Sequence, residues 1–103
     1  MIEIRDEPTQ SRYEITVDGE LAGFADYTLR GSVISFTHTE VFPAFARRGL
    51  AGQLIGHALD EARSRRLSVL PFCPFVCKFI DQNREYLDLV PVDQREKFGL
   101  PQA

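Results

Sequence analysis

Two arginines and two glycines lie directly before a long helical pattern, and their spacing suits an anion. Arg47 and Arg48 precede Gly49, and Gly52 follows closely. The first amides of a helix have no intrahelical partner, and the helix dipole makes that end positive. Glycine carries no Cβ, so a ligand can approach the backbone closely at both glycine positions. This stretch therefore predicts a site for a phosphate or diphosphate group.

The thiol of Cys73 is a second candidate for chemistry. Pro74 favours the first position of a helix, so the preceding cysteine is predicted at or near a helix N-cap. That position favours the thiolate, which is the nucleophilic form, although a free cysteine also suits the role of a small buried apolar side chain. Cys77 follows one helical turn later, but no further Cys or His pair completes a ligand set, so no metal site is expected.

His38 and Glu40 are the candidates for general acid–base catalysis. They alternate on a strand predicted over residues 33–41, and either side chain can take a proton from an attacking amine. Alternation places them on one face with Ile34 and Phe36, while the odd-numbered residues form the other face. A packed histidine and a strand-end carboxylate are the structural alternatives for these two side chains.

One amphipathic helix must position the arginines and glycines. Apolar residues recur after Gly49 at spacings of three to five and form one stripe, made of Leu50, Leu54, Ile55, Ala58, Leu59 and Ala62. Gly56 falls within this helix, where glycine costs about 1 kcal/mol relative to alanine, so it indicates close packing against a sheet or a ligand. A second helix is predicted from Pro74, with a buried stripe of Phe75, Phe79 and Ile80.

Strands are predicted on both sides of the first helix. Residues 13–29 contain two strands around Asp18-Gly19, which is a strong hairpin signal, and Gly23 is a candidate bulge. The strand at 67–70 should lie parallel to the strand before the helix, joined to it by a right-handed crossover. An antiparallel meander, a helix and a parallel strand describe an α/β sandwich.

Length and composition fit one globular domain. The chain has 103 residues and a formal net charge of −3, so no overall attraction to nucleic acid is expected. No run of about 18 apolar residues predicts a membrane span, and the charged N-terminus does not resemble a signal peptide. Two cysteines argue for a reduced, cytoplasmic setting rather than a disulfide framework. One domain is expected over residues 1–103, with the tail from about 91 peripheral.

Several segments resemble the GNAT superfamily of N-acetyltransferases. The helix start resembles motif A, the Arg/Gln-x-x-Gly-x-Gly/Ala loop that holds the pyrophosphate of coenzyme A, and the motif runs here from Ala46 to Ala51. Ala46 stands where the family usually has Arg or Gln, and Arg47 follows where glycine is common. Further segments make the chain similar to a small single-domain GNAT subgroup over roughly residues 12–90. These segments are His38-Thr39-Glu40-Val41, Pro71-Phe72-Cys73-Pro74-Phe75-Val76 and Glu85-Tyr86.

The resemblance implies a fold, a donor and a site. The fold is α/β, a GNAT-like sandwich with a mostly antiparallel mixed β-sheet, a central motif A helix and a second helix after the last strand. Acetyl-CoA is the implied donor, and an amine is the implied acceptor. The catalytic candidates are Cys73, His38 and Glu40. The implied coenzyme A ligands are Thr39, Val41, Phe42, Arg47, Arg48, Gly49, Leu50, Ala51 and Gly52.

Two transfer routes are open. In direct transfer, the amine attacks the thioester while Glu40 or His38 takes its proton, and backbone amides stabilise the oxyanion. In the covalent route, Cys73 takes the acetyl group first and passes it on. The subgroup resemblance favours Cys73 as the catalytic position, whereas direct transfer is the norm of the superfamily.

Other functions and partners are weighed against the enzyme. A non-catalytic acyl-CoA-binding or sensing module is the alternative, because the change at Ala46 permits it. An interaction domain whose basic loop meets an acidic partner or RNA is a third interpretation. The acceptor can be a protein lysine, a polyamine or a small amine, with no nucleic acid or membrane partner expected. A monomer or a weak homodimer is expected, since an exposed sheet edge can pair between copies.

Overall fold

Five strands form one mixed sheet within residues 1–102, which are the part of the chain that the computed structural model describes. The first four strands pair antiparallel in sequence order, and the fifth lies parallel to the fourth. The predicted fold class, a mostly antiparallel mixed sheet with helices, is confirmed. The strands are β1 (Ile2–Glu7), β2 (Arg12–Val17), β3 (Glu20–Arg30), β4 (Val33–Val41) and β5 (Ser68–Pro71).

The helices follow the two strands that frame the candidate site. α1 (Leu50–Ser64) connects β4 to β5 and packs across the middle of the sheet, whereas α2 (Pro74–Gln82) follows β5 and packs beside α1. A 3-10 segment (Arg84–Leu89), a short helix, α3 (Val92–Arg95), and a 3-10 turn (Glu96–Phe98) follow. None of the helices within residues 1–102 has the length and apolar content needed to cross a bilayer.

The apolar stripe of α1 forms the centre of the core. All six of its predicted residues are buried, and they face large buried side chains of the sheet, among them Tyr13, Ile15, Ile34 and Phe36. Burying a Leu or Ile side chain contributes roughly 1.5–3 kcal/mol, so this single stripe accounts for much of the packing energy that fixes α1 on the sheet.

The hairpin between β2 and β3 forms as the sequence predicts. Asp18 and Gly19 both have positive φ, 50° and 85°, as the two-residue turn requires. A bulge lies in β3 next to Gly23, because the register passes from that glycine to Leu21 and leaves Ala22 without a partner. A Cβ on Gly23 would collide with the carbonyl oxygen of Glu40, so the close approach of β4 requires glycine here.

A second bulge divides β4 at Thr37. Asp26 pairs with His38 and Tyr27 pairs with Phe36, so Thr37 is an extra residue on its strand. An extra residue changes the phase of side-chain alternation, and the predicted faces therefore hold only up to Phe36. The expectation that His38 points inward with Phe36 is wrong for this reason, since its side chain is 56% exposed.

The same point in β4 marks the end of its pairing with β5. The parallel register runs from Val33 opposite Ser68 to Phe36 opposite Pro71 and stops there. The Cys73 amide then donates a hydrogen bond to the Phe36 carbonyl at 2.8 Å. Beyond the bulge, β4 keeps only β3 as its sheet neighbour. The break in strand pairing on its other side is called the gap below, and the side chains of Thr39 and Cys73 contact each other across it.

The C-terminal residues pack against α2. The Arg95 side chain is 8% exposed and donates hydrogen bonds to the carbonyls of Val90 and Gln102. Leu100 joins the core cluster, and the Cys77 thiol donates to the Phe98 carbonyl at 3.2 Å. Ala103 lies outside the described residues, and the single domain over 1–103 with a peripheral tail stays a prediction.

Three phenols donate hydrogen bonds to carboxylates and make stability sensitive to high pH. Burial, together with acceptors on Glu61 and Asp6, raises the pKa of Tyr13 and Tyr27 above the ordinary value of 10.0. The hydrogen bond to Asp60, with burial, raises the pKa of Tyr86 to about 12. The unfolded chain ionises these phenols near pH 10 while the folded chain keeps them protonated, so stability is full below pH 10 and falls as the pH rises.

We therefore expect tyrosinate absorbance to lag behind that of free tyrosine above pH 10 and then to rise together with loss of circular dichroism. The matched variant Tyr86→Phe should lower the tyrosinate signal of the final step without advancing unfolding to lower pH. Simple ionisation of all three phenols near pH 10 in a folded chain would contradict the observed hydrogen bonds.

Gly56 is expected to be replaceable, contrary to the close packing inferred from sequence. A Cβ at this position would meet the Phe79 ring at 3.7 Å, which is an ordinary contact. Gly56→Ala should raise the free energy of unfolding by up to about 1 kcal/mol through helix propensity, measured by urea denaturation. Gly31→Ala is the control, because its φ of +60° should make the same added methyl destabilising. A loss of stability in Gly56→Ala would contradict this prediction.

Candidate active site

The start of α1 presents free backbone amides. Gly49 is the N-cap with φ of 72°, and no side chain caps the helix. The first backbone hydrogen bond of the helix runs from the Gln53 amide to the Gly49 carbonyl at 3.2 Å. The amides of the three residues between them therefore have no helical acceptor. The first turn carries no acidic residue, so the positive end of the dipole is not neutralised from within it.

A cavity of about 270 Å³ opens at this helix start. Val41 at the end of β4 forms one side, and Phe75 at the start of α2 forms another. The walls between them come from the loop before α1 and from its first turn. Its full lining is Val41, Phe45, Ala46, Arg47, Gly49, Leu50, Ala51, Gly52 and Phe75. The segment predicted to hold a diphosphate is thus a wall of a real cavity.

The loop at the cavity contains left-handed backbone at two positions. Arg47 has φ of 66° and Gly49 has φ of 72°. A left-handed conformation costs a non-glycine residue about 1–2 kcal/mol, so Arg47 carries local strain at the position where motif A often has glycine. Backbone in which left- and right-handed residues alternate forms concave amide nests that bind anions. Strain of this kind is characteristic of ligand sites.

Three predicted ligands lie outside the cavity lining. Arg48 places its guanidinium carbon 5.5 Å from the centre of the Phe45 ring, and that ring is part of the cavity wall. Phe42 packs on Phe24, and its amide already donates to the Ala22 carbonyl at 2.9 Å. Thr39 lies on β4 two residues before Val41 and is not part of the lining. The structure therefore gathers Val41 with the predicted ligands of the loop before α1 and of its first turn, but not these three.

The Cys73 thiol lies in the gap beside β4. Cys73 is the N-cap of α2, as predicted, and is 4% exposed. Its Sγ donates a hydrogen bond to Thr39 Oγ1 at 3.3 Å. Cys77 differs, because burial, with a smaller contribution from nearby Asp81, raises the pKa of its thiol. The two thiols thus occupy distinct surroundings one helical turn apart.

His38 and Glu40 form a pair on the other side of β4. His38 Nε2 and Glu40 Oε1 are 3.2 Å apart, and the imidazole lies 6.0 Å from the ring of Phe24. Thr39 lies between them in sequence and points the opposite way, toward Cys73. The structure thus joins the candidates as two pairs, His38 with Glu40 and Cys73 with Thr39, on the two sides of one strand.

Two aromatic rings of the cavity are absent from the sequence-based set of ligands. Phe75 was expected in the buried stripe of α2, but it is 40% exposed and lines the cavity. Val76 and Ile80 are the buried residues of that helix instead, four positions apart. The four-residue spacing of Val76 and Ile80 in the sequence could have indicated this arrangement, because it leaves Phe75 beside the buried stripe. Phe45 had no comparable signal.

A metal centre is not assembled in this region. Within residues 1–102, no three His, Cys, Asp or Glu side chains converge in a way that suits a metal ion. The cavity itself presents backbone amides and an arginine.

Comparison with solved structures identifies the same architecture in N-acetyltransferases. The NMR structure of a GCN5-like putative N-acetyltransferase from Staphylococcus aureus is 19% identical with a TM-score of 0.67, over 86% of this chain and 87% of that one. The ribosomal-protein-alanine N-acetyltransferase of Brucella melitensis is 24% identical with a TM-score of 0.54, over 78% and 62%. At these identities the likeness concerns the fold.

A third structure shares only part of its length with this chain. The ribosomal-protein-S18-alanine N-acetyltransferase of Escherichia coli is 25% identical with a TM-score of 0.54, over 56% of this chain. The chain spans 38% of that enzyme. Among curated proteins, none matches the sequence.

Family assignment rests on the sequence itself. A family model described as GCN5-related N-acetyl-transferase matches residues 12–89, which is most of the chain. The match includes the whole sheet from β2 onward, the cavity at α1 and the thiol segment of α2. The chain belongs to the GCN5-related N-acetyltransferase, or GNAT, family.

Proposed function

We propose that the protein is an acetyl-CoA-dependent N-acetyltransferase that moves an acetyl group to an amine acceptor. The observation that carries this proposal is the cavity at the start of α1, where the amides of Leu50, Ala51 and Gly52 have no helical acceptor. A diphosphate accepts hydrogen bonds from such amides and is attracted by the positive end of the dipole. Arg47 adds a full positive charge to the same wall.

The rest of coenzyme A is proposed to run along β4. The second half of that strand keeps β3 on one side and has no strand on the other, so its backbone can bind the pantetheine arm as a strand would. Val41 forms the entry from the cavity, and Thr39 lies deeper, beside Cys73. This path delivers the thioester to the gap at the start of α2.

The acceptor amine is proposed to attack from the side of β4 that carries His38 and Glu40. These two side chains are exposed and hydrogen bonded to each other, so either can take the proton that the amine loses. The carbonyl carbon gains a bond to nitrogen, the carbon–sulfur bond breaks, and coenzyme A leaves as its thiol. In the covalent route Cys73 Sγ attacks the acetyl carbonyl first, the bond to the coenzyme A sulfur breaks, and coenzyme A leaves with the proton of the cysteine thiol. The amine then attacks the Cys73 thioester, breaks its carbon–sulfur bond and returns a proton to the thiol.

Calorimetric titration with coenzyme A tests the donor site. We expect saturable binding below millimolar concentration, and its absence would remove the proposal's support. Mass spectrometry after mixing with acetyl-CoA alone separates the routes, because only the covalent one adds an acetyl group to Cys73. Activity that survives in Cys73→Ala would exclude that route.

An acyl-CoA-binding or sensing module is the second candidate. Ala46 lines the cavity with a methyl group where the family usually has Arg or Gln, so one polar contact to the diphosphate is missing. Saturable coenzyme A binding without turnover across a panel of protein, polyamine and small-molecule amines would favour this candidate over the enzyme.

The cellular compartment and the oligomeric state are also proposed, each from one structural feature. Both cysteines are free, which suits the reducing cytoplasm. β1 is an edge strand, so a monomer or a weak homodimer through that edge is proposed. Sedimentation of the protein at increasing concentration would report which of the two forms is populated.

A further inference from the structure

Three aromatic side chains, Phe75, Phe79 and Tyr86, form a row on the side of α2 that meets α1. Phe75 and Phe79 stack with ring centres 6.4 Å apart and planes inclined by 27°. Phe79 and Tyr86 continue the row with ring centres 5.9 Å apart and planes inclined by 34°. Offset arrangements of this kind are favourable between aromatic rings. The aromatic row is therefore one continuous surface that ends at Phe75.

The inner two rings of the row are held in place by α1. The Tyr86 hydroxyl donates a hydrogen bond to Asp60 Oδ1 at 2.7 Å. A Cβ added at Gly52 or Gly56 would meet the Phe79 ring at 3.8 Å or 3.7 Å, so this ring rests on the backbone of α1. Because its neighbours are fixed, the third ring offers a ligand a pre-organised surface, which lowers the entropic cost of binding.

The outer end of the row lies in the cavity at the start of α1. Phe75 is part of the cavity lining and is 40% exposed, whereas the other aromatic residue of the lining, Phe45, is 9% exposed. Ligand cavities are typically lined by apolar and aromatic side chains that the ligand covers. The part of a ligand that best covers Phe75 is a flat ring, because it can extend the row.

Coenzyme A offers one such ring, and its other parts have places elsewhere. The diphosphate is assigned to the free amides of α1, and the pantetheine arm is assigned to β4 from Val41 toward Thr39. The Cys73 thiol faces Thr39, whereas the Phe75 ring faces Phe79 and lies on the side toward α1. The arm therefore leaves the cavity away from the aromatic row. The adenine base, which is the aromatic group of coenzyme A, remains for Phe75.

We infer that the adenine base of coenzyme A stacks on Phe75 and becomes the fourth ring of the aromatic row. The inference rests on the proposed function. Stacking of a base on an aromatic side chain changes affinity by about 5- to 150-fold. Phe75 then determines donor specificity, because an acetyl thioester on a phosphopantetheine arm that lacks the nucleotide would lose this contact. The protein should accordingly prefer acetyl-CoA to such a donor.

The test compares coenzyme A with 4′-phosphopantetheine, which keeps the arm and one phosphate but lacks adenosine. We expect Phe75→Leu to weaken binding of coenzyme A about tenfold and to change binding of 4′-phosphopantetheine less than about twofold, by calorimetric titration. Phe75→Trp keeps an aromatic face and should restore most of the affinity for coenzyme A. Equal losses for the two ligands in Phe75→Leu, or no loss for coenzyme A, would overturn the inference.

Phe72→Leu is the matched control for the loss of a ring. Phe72 is 46% exposed on the segment before α2 and lies outside the cavity lining, so its replacement should leave both affinities unchanged. Urea denaturation of the two leucine variants checks that both are folded. A loss of affinity for coenzyme A in Phe72→Leu as large as that in Phe75→Leu would also overturn the inference.

NMR of the original protein with coenzyme A locates the base without any substitution. We expect nuclear Overhauser effects between adenine H2 or H8 and the ring protons of Phe75. Contacts from the pantetheine methyl groups to this ring, without contacts from adenine, would contradict the inference and leave the transferase proposal standing. If coenzyme A does not bind the original protein in the calorimeter, both proposals fall together.

Discussion

Replacing Ala51 by glutamate is expected to weaken coenzyme A binding by about 30-fold or more, which corresponds to about 2 kcal/mol. Ala51 lines the cavity within the first turn of α1, so the new carboxylate would meet the free amides that the diphosphate needs and would repel its charge. The same carboxylate suits the positive end of a helix, so the free energy of unfolding should stay unchanged or rise by about 0.3–1 kcal/mol.

Gln53→Glu is the matched control for this experiment. Gln53 is exposed, lies in the same turn and does not line the cavity, so the same charge is added at the same helix end without entering the site. Calorimetry should give near-original affinity for this variant, and urea denaturation should give similar stability for both. Equal loss of affinity in the two variants would mean that general repulsion, rather than occupation of the amide site, sets binding.

Replacing Cys73 by alanine is expected to lower kcat for acetyl transfer by about 100-fold or more, a barrier increase of about 2.7 kcal/mol. The thiol lies in the gap beside Thr39, where the proposed path of the cofactor places the thioester. As a nucleophile it would form the acetyl intermediate, and as a donor it would stabilise charge on the departing sulfur or the oxyanion. Removal of the Cys73 thiol should therefore lower kcat on either route.

Cys77→Ala is the control for the thiol. The Cys77 thiol is held by the Phe98 carbonyl, and burial raises its pKa, so it is a weak nucleophile at neutral pH. Its replacement should change kcat less than about threefold, a small effect on the same scale. Steady-state rates with acetyl-CoA and a common amine measure both variants. Full activity in Cys73→Ala, with loss in Cys77→Ala, would reverse the assignment.

Local patterns in the sequence were sufficient for most of the fold. The apolar stripe of α1, the turn at Asp18-Gly19 and the cap at Cys73 each depend on residues that are neighbours along the chain. Helix periodicity, turn geometry and capping depend on residues that are close in sequence, so they can be predicted from a single sequence. The prediction of an anion site came from the same source, because free amides are a property of any helix start.

Two of the errors of interpretation, the faces of β4 and the position of Phe75, came from packing between distant segments. The bulge at Thr37 depends on how β4 pairs with β3, and nothing in residues 33–41 alone specifies an extra residue. Phe75 was assigned to the core as part of a helical stripe with Phe79 and Ile80, whereas Val76 occupies that place and Phe75 is left at the cavity. The bulge requires knowledge of which strands meet, whereas the spacing of Val76 and Ile80 was already present in the sequence.

Because Thr37 is an extra residue in β4, the number of residues in this strand determines which side chains share a face, just as their identities determine the chemistry. A homologue shorter by one residue between Phe36 and Thr39 would exchange the imidazole and carboxylate for the threonine hydroxyl across the sheet. Every chemical group would still be present in such a chain, yet the imidazole and carboxylate would lie on the side of β4 that faces Cys73, and the threonine hydroxyl would point away from the thiol. Comparisons of related chains should therefore count residues here before they compare identities.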